Sequence, residues 1–331
     1  MQLKTYTQRI VEQIRQYQNT ENMHAQLSDI FRYWQEKYFK PRFSAVCGAV
    51  NHLDFYARPL ARSILETGNQ HVVSFGCGDA QVEVGVAGLL GRYGVQQFTF
   101  HCVELSPAQI ERGRDSAEKA GFAKNFEFIQ DDFNRWDPEN AVFAGAMCHH
   151  ALHHVVELEH LLDNIYKSLH LGGVFANFDV IGRNGHMRWP EALKLVELIW
   201  RFLPEEKKRH HLLKTVDKEY VNRDCSTEGF EGIRSQDILP NLISRFQFET
   251  FFAFGNLIDV FTSRGFGANY DSRDALDQAF IDFIEYLNEL LIDLGHIKPT
   301  RMCAVLVKRP VDHPRIYKHW TPEFCLRDTN K

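Results

Sequence analysis

Ser74-Phe75-Gly76-Cys77-Gly78-Asp79-Ala80 is the stretch on which the fold turns. It closes the short apolar run HVVSF and opens VEVGVAGLLGRY, which has helical spacing. Glycines between a strand and a helix let the backbone turn sharply, and they let a ligand approach main-chain N–H groups at the helix start. Working forward, apolar runs keep alternating with helical stretches: FTFHCVEL, PAQIERGRDSAEKAG, FEFIQ, AVFAGAMC, HHVVELEHLLDNIYKSL and VFANFDVIG. Five strands with helices between them are βαβ units and predict a parallel sheet covered on both faces. Gly172-Gly173 reads as the cap ending the helix before the fifth strand. Two later runs, RFQFETFFAF and RMCAVLVKR, read as closing strands of the same sheet. Between them lies a helix with Phe280, Phe283, Ile284, Leu287, Leu290 and Leu291 on one face. The charged run EEKKRHH reads as a solvated helix face, and the tail from Pro310 as irregular surface chain.

The acids that follow the next two strands give the glycine loop its meaning. FTFHCVEL ends in Glu104, twenty-six positions after Gly78, where a carboxylate can accept both hydroxyl protons of a ribose. FEFIQ is followed by Asp131-Asp132-Phe133. An acid there can accept from an adenine amino group, and Phe133 adds a backbone N–H and an apolar wall. In such a sheet the ligand crevice opens where strand order reverses, between strands one and four. His149 and His150 follow strand four at that crevice. A dinucleotide fingerprint would need glycine at position 81, where this chain has Gln81, so a nicotinamide- or nucleotide-dependent enzyme is the weaker alternative.

Together SFGCGDA, Glu104, Asp132 and HHALHHV resemble the ordered motifs of the class I S-adenosylmethionine-dependent methyltransferases, over residues 70–182. Two positions depart from the pattern: Ser74 stands where an acid is common, and Ala80 where a third glycine is common. The resemblance implies an α/β fold, a Rossmann-like doubly wound sheet of seven mostly parallel strands with an N-terminal helical cap and inserted helices. The corresponding segments are a cap over 1–66, the cofactor-binding core over 67–182 and a helical insertion with an acceptor-side loop over 183–245. Closing strands with a helical insert over 246–310 and a tail over 311–331 complete them. S-adenosylmethionine is the implied cofactor, held by Gly76, Cys77, Gly78, Glu104, Leu105, Asp132, Phe133 and His149. The stretches IGRNGHMRWPEAL and DCSTEGFEGIRSQDILP further resemble a bacterial methyltransferase group found near glycosyltransferase and polysaccharide genes, which favours a small-molecule or sugar-linked acceptor. A scaffold that binds cofactor without turnover, acting as a regulator, is the non-enzymatic alternative.

Methyl transfer from a sulfonium is an in-line displacement, so alignment supplies much of the catalysis. A hydroxyl or protonated amine acceptor also needs a base, and histidine has the right pKa near neutrality. His150, His154 and His186 are the candidates, since the loops after strands four and five both face the crevice. His150 and His154 would share a helix face, as zinc-binding pairs do, but no HExxH spacing accompanies them and no metal is assigned. The loop Gly182–Pro190 supplies Arg183, Asn184, Arg188 and Trp189 as acceptor contacts, with the tryptophan placed to stack on an apolar sugar face. Asp179, ending strand five, reads either as a base or, preferably, as a residue that orients this loop. Trp34, Tyr38 and Phe43 read either as part of a lid or as core packing.

Composition narrows the class. With 331 residues, 44% hydrophobic and 24% charged, the chain is an ordinary folded protein rather than a disordered, collagen-like or membrane one. Lysine and arginine total 38 against 43 acids, a net charge of −5 that argues against a nucleic-acid partner. No NPPY-like tetrad for a flipped base follows strand four. No eighteen-residue apolar stretch and no signal-like apolar segment in the first thirty residues are found, so no membrane association is expected and the cytoplasm is the expected location. The seven cysteines include no CxxC pair, which leaves no disulfide framework and no zinc ribbon. Oligomeric state is left open.

Overall fold

The computed structural model describes residues 4–18, 27–227 and 229–327. The parts of the cap, insertion and tail readings that fall on 19–26, 228 and the termini lie outside them. Helix α1 (Tyr6–Gln18) comes first, followed by α2 (Asp29–Trp34), α3 (Lys40–Cys47) and α4 (His52–Thr67). Strand β1 (His71–Phe75), α5 (Gln81–Leu90), β2 (Thr99–Glu104), α6 (Pro107–Lys119), β3 (Phe126–Gln130), β4 (Phe143–His149), α7 (Leu158–Ser168) and β5 (Leu169–Val180) form the alternating core. After it come α8 (Pro190–Phe202), the short strands β6 (Arg209–His210) and β7 (Thr215–Val216), and α9 (Ser235–Ile243). The chain then runs through β8 (Gln247–Phe254), α10 (Leu257–Thr262), α11 (Ala275–Asp293), β9 (Arg301–Val307), β10 (Arg315–Ile316) and α12 (Pro322–Cys325).

The main sheet has eight strands in the order β10-β8-β9-β5-β4-β1-β2-β3. β1 to β5 are mutually parallel, and β9 runs antiparallel between β5 and β8. This is the expected doubly wound α/β sheet, with one correction: the tail is not irregular, because Arg315–Ile316 pairs with β8 as an eighth strand and Trp320 is buried. Alternation along each strand feeds two cores. Val73, Phe75 and Val103 face the side packed by α2 and α7 to α11, whereas Val72, Phe100 and Cys102 face α3 to α6. Strand order reverses between β1 and β4, which opens the crevice at their carboxyl ends.

Three local expectations fail for identifiable reasons. Gly172-Gly173 does not cap a helix: α7 stops at Ser168, and the glycines sit inside β5 where its pairing with β4 shifts register between Leu169 and Val174. A side chain at 173 would stand 2.8 Å from the His170 carbonyl and 3.0 Å from that of Ala144, so close backbone approach demands the glycine. EEKKRHH is not a helix face either. Pro204 is followed by one 3-10 turn, Lys207 Nζ binds both Asp277 oxygens (2.6 and 2.7 Å), and Arg209–His210 pairs as β6. Finally, the helix expected over HHVVELEHLLDNIYKSL begins only at Leu158, because His150 is left-handed (φ 53°) and Leu152–His154 is a 3-10 turn. Trp34 and Phe43 are buried core residues, and Tyr38 packs partly buried against the core with its hydroxyl donating to Asp282 at 2.7 Å.

Candidate active site

After β1 the chain turns through Gly76 (φ 66°) and Gly78 (φ 56°), and the Gly76 N–H donates to the Val103 carbonyl at 2.9 Å. A Cβ on Gly76 would stand 2.5 Å from that of Ala151, so the first glycine is fixed by the chain after β4. A Cβ on Gly78 would meet nothing within 4 Å: the outer side of the loop is open. Cys77 is buried beneath it. Glu104, at the end of β2, accepts from the N–H groups of Gly78 (3.0 Å) and Ser106 (2.8 Å), and burial raises its pKa. A carboxylate has about four lone-pair sites, so its backbone bonds leave it capacity for a ligand. Leu105 beside it is partly buried. After β3, Asp132 accepts from the backbone and side-chain nitrogens of Asn134, both at 3.0 Å, and the Phe133 ring lies against the glycine loop.

The missing acid at position 74 has a neighbour in its place. Ser74 Oγ donates to Glu83 Oε1 at 2.6 Å, and Glu83 is buried with its other oxygen unpartnered among the described residues. Burial pushes its pKa up to about 7, against the help of the Ser74 bond. Sequence reading passed over Glu83 because it sits inside the apolar helix α5.

The chain after β4 builds a second cluster. Asp179, at the end of β5 and fully buried, accepts from the N–H groups of Ala151 (3.1 Å), Leu152 (2.8 Å) and Val180 (2.7 Å). It also lies 2.6 Å from His153 Nδ1. His153 Nε2 is 3.5 Å from Glu231 Oε1, and His186 Nε2 is 2.7 Å from the same oxygen. His154 Nε2 is 3.6 Å from Glu231 Oε2. Burial opposes protonation of His153, but Asp179 and Glu231 outweigh it and hold its pKa at about 10. Burial works against ionised Glu231 too, yet His153 and His186 keep it well below the usual carboxylate range. Burial lowers His186, and burial with the neighbouring His153 lowers His154 to about 3.

Of the expected histidines, then, His154 and His186 meet at Glu231, and His153 joins them. His150 does not share a helix face with His154; its ring lies 4.8 Å from those of His149 and Phe178. His149 Nδ1 is 3.1 Å from the Tyr56 hydroxyl. Glu231 reaches the cluster because two glycines let separate loops touch. Gly185 N–H donates to the Gly232 carbonyl (2.8 Å), and a Cβ on Gly185 (φ 65°) would stand 2.0 Å from Asp224 Oδ1. Asn184-Gly185 and Glu231-Gly232 were the legible signals for this contact.

The loop residues expected to hold an acceptor are engaged within the protein. Asn184 Oδ1 accepts from the Gln236 N–H (3.1 Å). Arg188 donates to the carbonyls of Asn256 (2.9 Å) and His186 (3.0 Å), and Arg183 to that of Arg188 (3.2 Å). Trp189 carries the guanidinium groups of Arg183 and Arg327 at 5.5 and 4.4 Å from its ring centre. These contacts shape the loop and leave the tryptophan ring already occupied by cations.

Helix α1 spans both clusters. Tyr6 donates to Asp132 Oδ2 at 2.5 Å, and its ring packs on Phe230. Gln13 Oε1 accepts from the Phe230 N–H (3.1 Å), which turns its Nε2 to donate to His154 Nδ1 at 3.2 Å. Arg9 donates to the carbonyls of Ser226 and Gly229, and Arg112 of α6 to that of Tyr17. Side-chain donors at this spacing looked in the sequence like an ordinary polar helix face.

Residues 72–173 match the family model of a methyltransferase domain. No curated protein matches the chain. Among solved structures, geranyl diphosphate C-methyltransferase from Streptomyces coelicolor A3(2), in complex with Mg2+, geranyl diphosphate and S-adenosyl-L-homocysteine, is 12% identical. The match covers 92% of this chain and 100% of that one, with a TM-score of 0.45. A putative sarcosine dimethylglycine methyltransferase from Galdieria sulphuraria is 16% identical over 85% of this chain and 98% of its own, at a TM-score of 0.42. The [4+2]-cyclase SpnF is 12% identical over 85% and 96%, also at 0.42. At these identities none of them bears on the acceptor.

The glycine loop and the acid-ended strands β2 and β3 lie within the stretch that matches the methyltransferase-domain model. The site fits S-adenosylmethionine: the face over Gly78 is open and Glu104 is placed beside it at the end of β2. Glu104→Ala is expected to weaken S-adenosylmethionine binding at least several-fold, since a pair of hydrogen bonds to the ribose would be lost. Unchanged affinity by calorimetric titration would remove Glu104 from the cofactor site.

Proposed function

We propose that the protein methylates a hydroxyl group of a small molecule at the carboxyl ends of β4 and β5. The observation that carries this is the meeting of His153, His186 and Glu231 just after the Ala151 turn that packs on Gly76, a cluster able to handle the proton an acceptor hydroxyl must lose. S-adenosylmethionine, when bound, supplies a methyl group on a sulfonium, whose sulfur keeps the electron pair when the carbon–sulfur bond breaks. The acceptor oxygen forms the new bond and its proton leaves, so the products are the methyl ether, S-adenosylhomocysteine and one proton. Glu104 and Asp132 orient the nucleoside, Asp179 holds the turn after β4 in place, and Glu231 with its histidines faces the acceptor. A sugar-linked hydroxyl belongs to this acceptor class, and methylation of a polysaccharide or its precursor would suit the group that the 182–240 stretch resembles. No described helix is long and apolar enough to cross a membrane. All seven cysteines are free thiols, which supports a reducing compartment such as the cytoplasm.

Purified protein is to be titrated with S-adenosylmethionine and, separately, NAD, then incubated with methyl-labelled cofactor and a panel of hydroxyl acceptors. One-site binding of the sulfonium compound with label transfer is expected. NAD binding alone would sink the reading, and cofactor binding with no transfer to any class of acceptor would favour the regulator. His186→Gln is expected to lower turnover at least about tenfold while cofactor affinity changes little. Equal loss of both would assign His186 a purely structural part.

A further inference from the structure

We propose that His153, His186 and Glu231 hold a divalent transition-metal ion that binds and ionises the acceptor's oxygen. The acceptor half deepens the methyl-transfer reading and rests on it; the ion site is argued from side chains alone.

Each of the three residues offers one ligand atom, and the three atoms lie within 4.8 Å of one another. Glu231 Oε1 is 2.7 Å from His186 Nε2 and 3.5 Å from His153 Nε2. Ligands about 2.0–2.2 Å from a shared ion stand roughly 3–3.5 Å apart, so small adjustments close the set. Orientation is built in. His153 Nδ1 is committed to Asp179, itself anchored by three backbone N–H groups, so Nε2 points into the cluster, where an ion takes the place of its proton. A carboxylate behind a histidine is the arrangement that fixes the tautomer of metal ligands. Gln13 donates to His154 Nδ1, which puts the hydrogen of neutral His154 on Nε2, facing Glu231 Oε2 and leaving Oε1 to the ion. His186 has no hydrogen-bond partner for Nδ1 among the described residues; its ring is held by the Nε2 contact with Glu231 and by packing on His153, 5.2 Å between ring centres.

Charge points the same way. Asp179 and Glu231 bring two carboxylates together, and among the described residues neither has a lysine or arginine within 4.0 Å. Two imidazoles and one carboxylate suit zinc, iron, cobalt or manganese rather than magnesium, and they leave further coordination positions open. His186 and Glu231 are partly exposed, so an ion there is within reach of solvent. An oxygen bound there loses its proton at a lower pH, the proton passes to solvent, and the ion carries the resulting charge; with the ion bound, the three residues act as its ligands rather than as the base.

The test uses untagged, full-length protein stripped with a chelator. It is titrated with Zn2+ by calorimetry and Co2+ by visible absorption, with Mg2+ as control. One Zn2+ per chain, a Co2+ absorption band and no Mg2+ site are expected. His186→Gln and Glu231→Gln should each weaken Zn2+ at least about tenfold with unchanged circular dichroism. His71→Gln should not, although His71 Nδ1 lies 2.9 Å from His101 Nε2 in a separate surface pair. Absence of a one-per-chain site, full affinity in both cluster variants, or loss in His71→Gln overturns the assignment. S-adenosylmethionine binding without an ion site overturns the ion and leaves methyl transfer standing. An ion site without cofactor binding supports the ion assignment and overturns methyl transfer.

Discussion

Replacing Asp179 with alanine is expected to cost the fold roughly 3–5 kcal/mol, read as a lower urea midpoint at unchanged slope. The carboxylate is fully buried and every one of its neighbours is a donor: Oδ1 serves His153 and Val180, and Oδ2 serves Ala151 and Leu152. Removing it strands an imidazole and three backbone N–H groups without acceptors, each a buried polar group with nowhere to turn. Asp179→Asn keeps the shape, but its NH2 must face two donors in either orientation, so much of the loss remains. A change below about 1 kcal/mol for the alanine variant would show that the turn after β4 holds without the carboxylate.

Glu83 gives the second large effect, and it depends on pH. Its folded pKa of about 7 lies above the ordinary 4.5, because burial disfavours the charge. Between those values the folded protein keeps a proton that the unfolded chain has released, so stability falls as pH rises through pH 4.5 to 7. Above pH 7 the deficit is complete, at about 3 kcal/mol for a shift of this size. Glu83→Gln retains a partner for Ser74 without the ionisation. Its stability relative to the unmodified protein should therefore be greater at pH 8 than at pH 5. Parallel urea midpoints at the two pH values would mean that Glu83 is solvated.

These two residues mark the boundary of what could be read from the chain. The GxG turn, Glu104 and Asp132 were legible because each is a local event: a strand ends and a small or acidic residue follows. The closing strands were legible because FETFFAF and MCAVLV are apolar in runs that no other element explains. Glu83 and Glu231 were not, since their significance lies in partners nine and forty-five or more residues away. Nothing in an isolated acid says whether water or a histidine will face it. The histidine turn was misread as helix because HHVVELEH has acceptable helical spacing, whereas backbone bonds to Phe178 and the Asp179 carboxylate pull its first residues into a tighter path. Two-residue strands such as Arg315–Ile316 carry no periodicity at all.

The place of β9 has a consequence for synthesis. Arg301–Val307 lies between β5 and β8, both of which are made well before it. Until those seven residues leave the ribosome, the parallel half of the sheet ends in an unpaired β5 edge and β8 has no neighbour on that side. Open edges of this kind are templates for pairing with other chains. A nascent chain paused before residue 301 would therefore expose two unpaired strand edges, and a truncation at that point removes the strand that joins the two halves of the sheet.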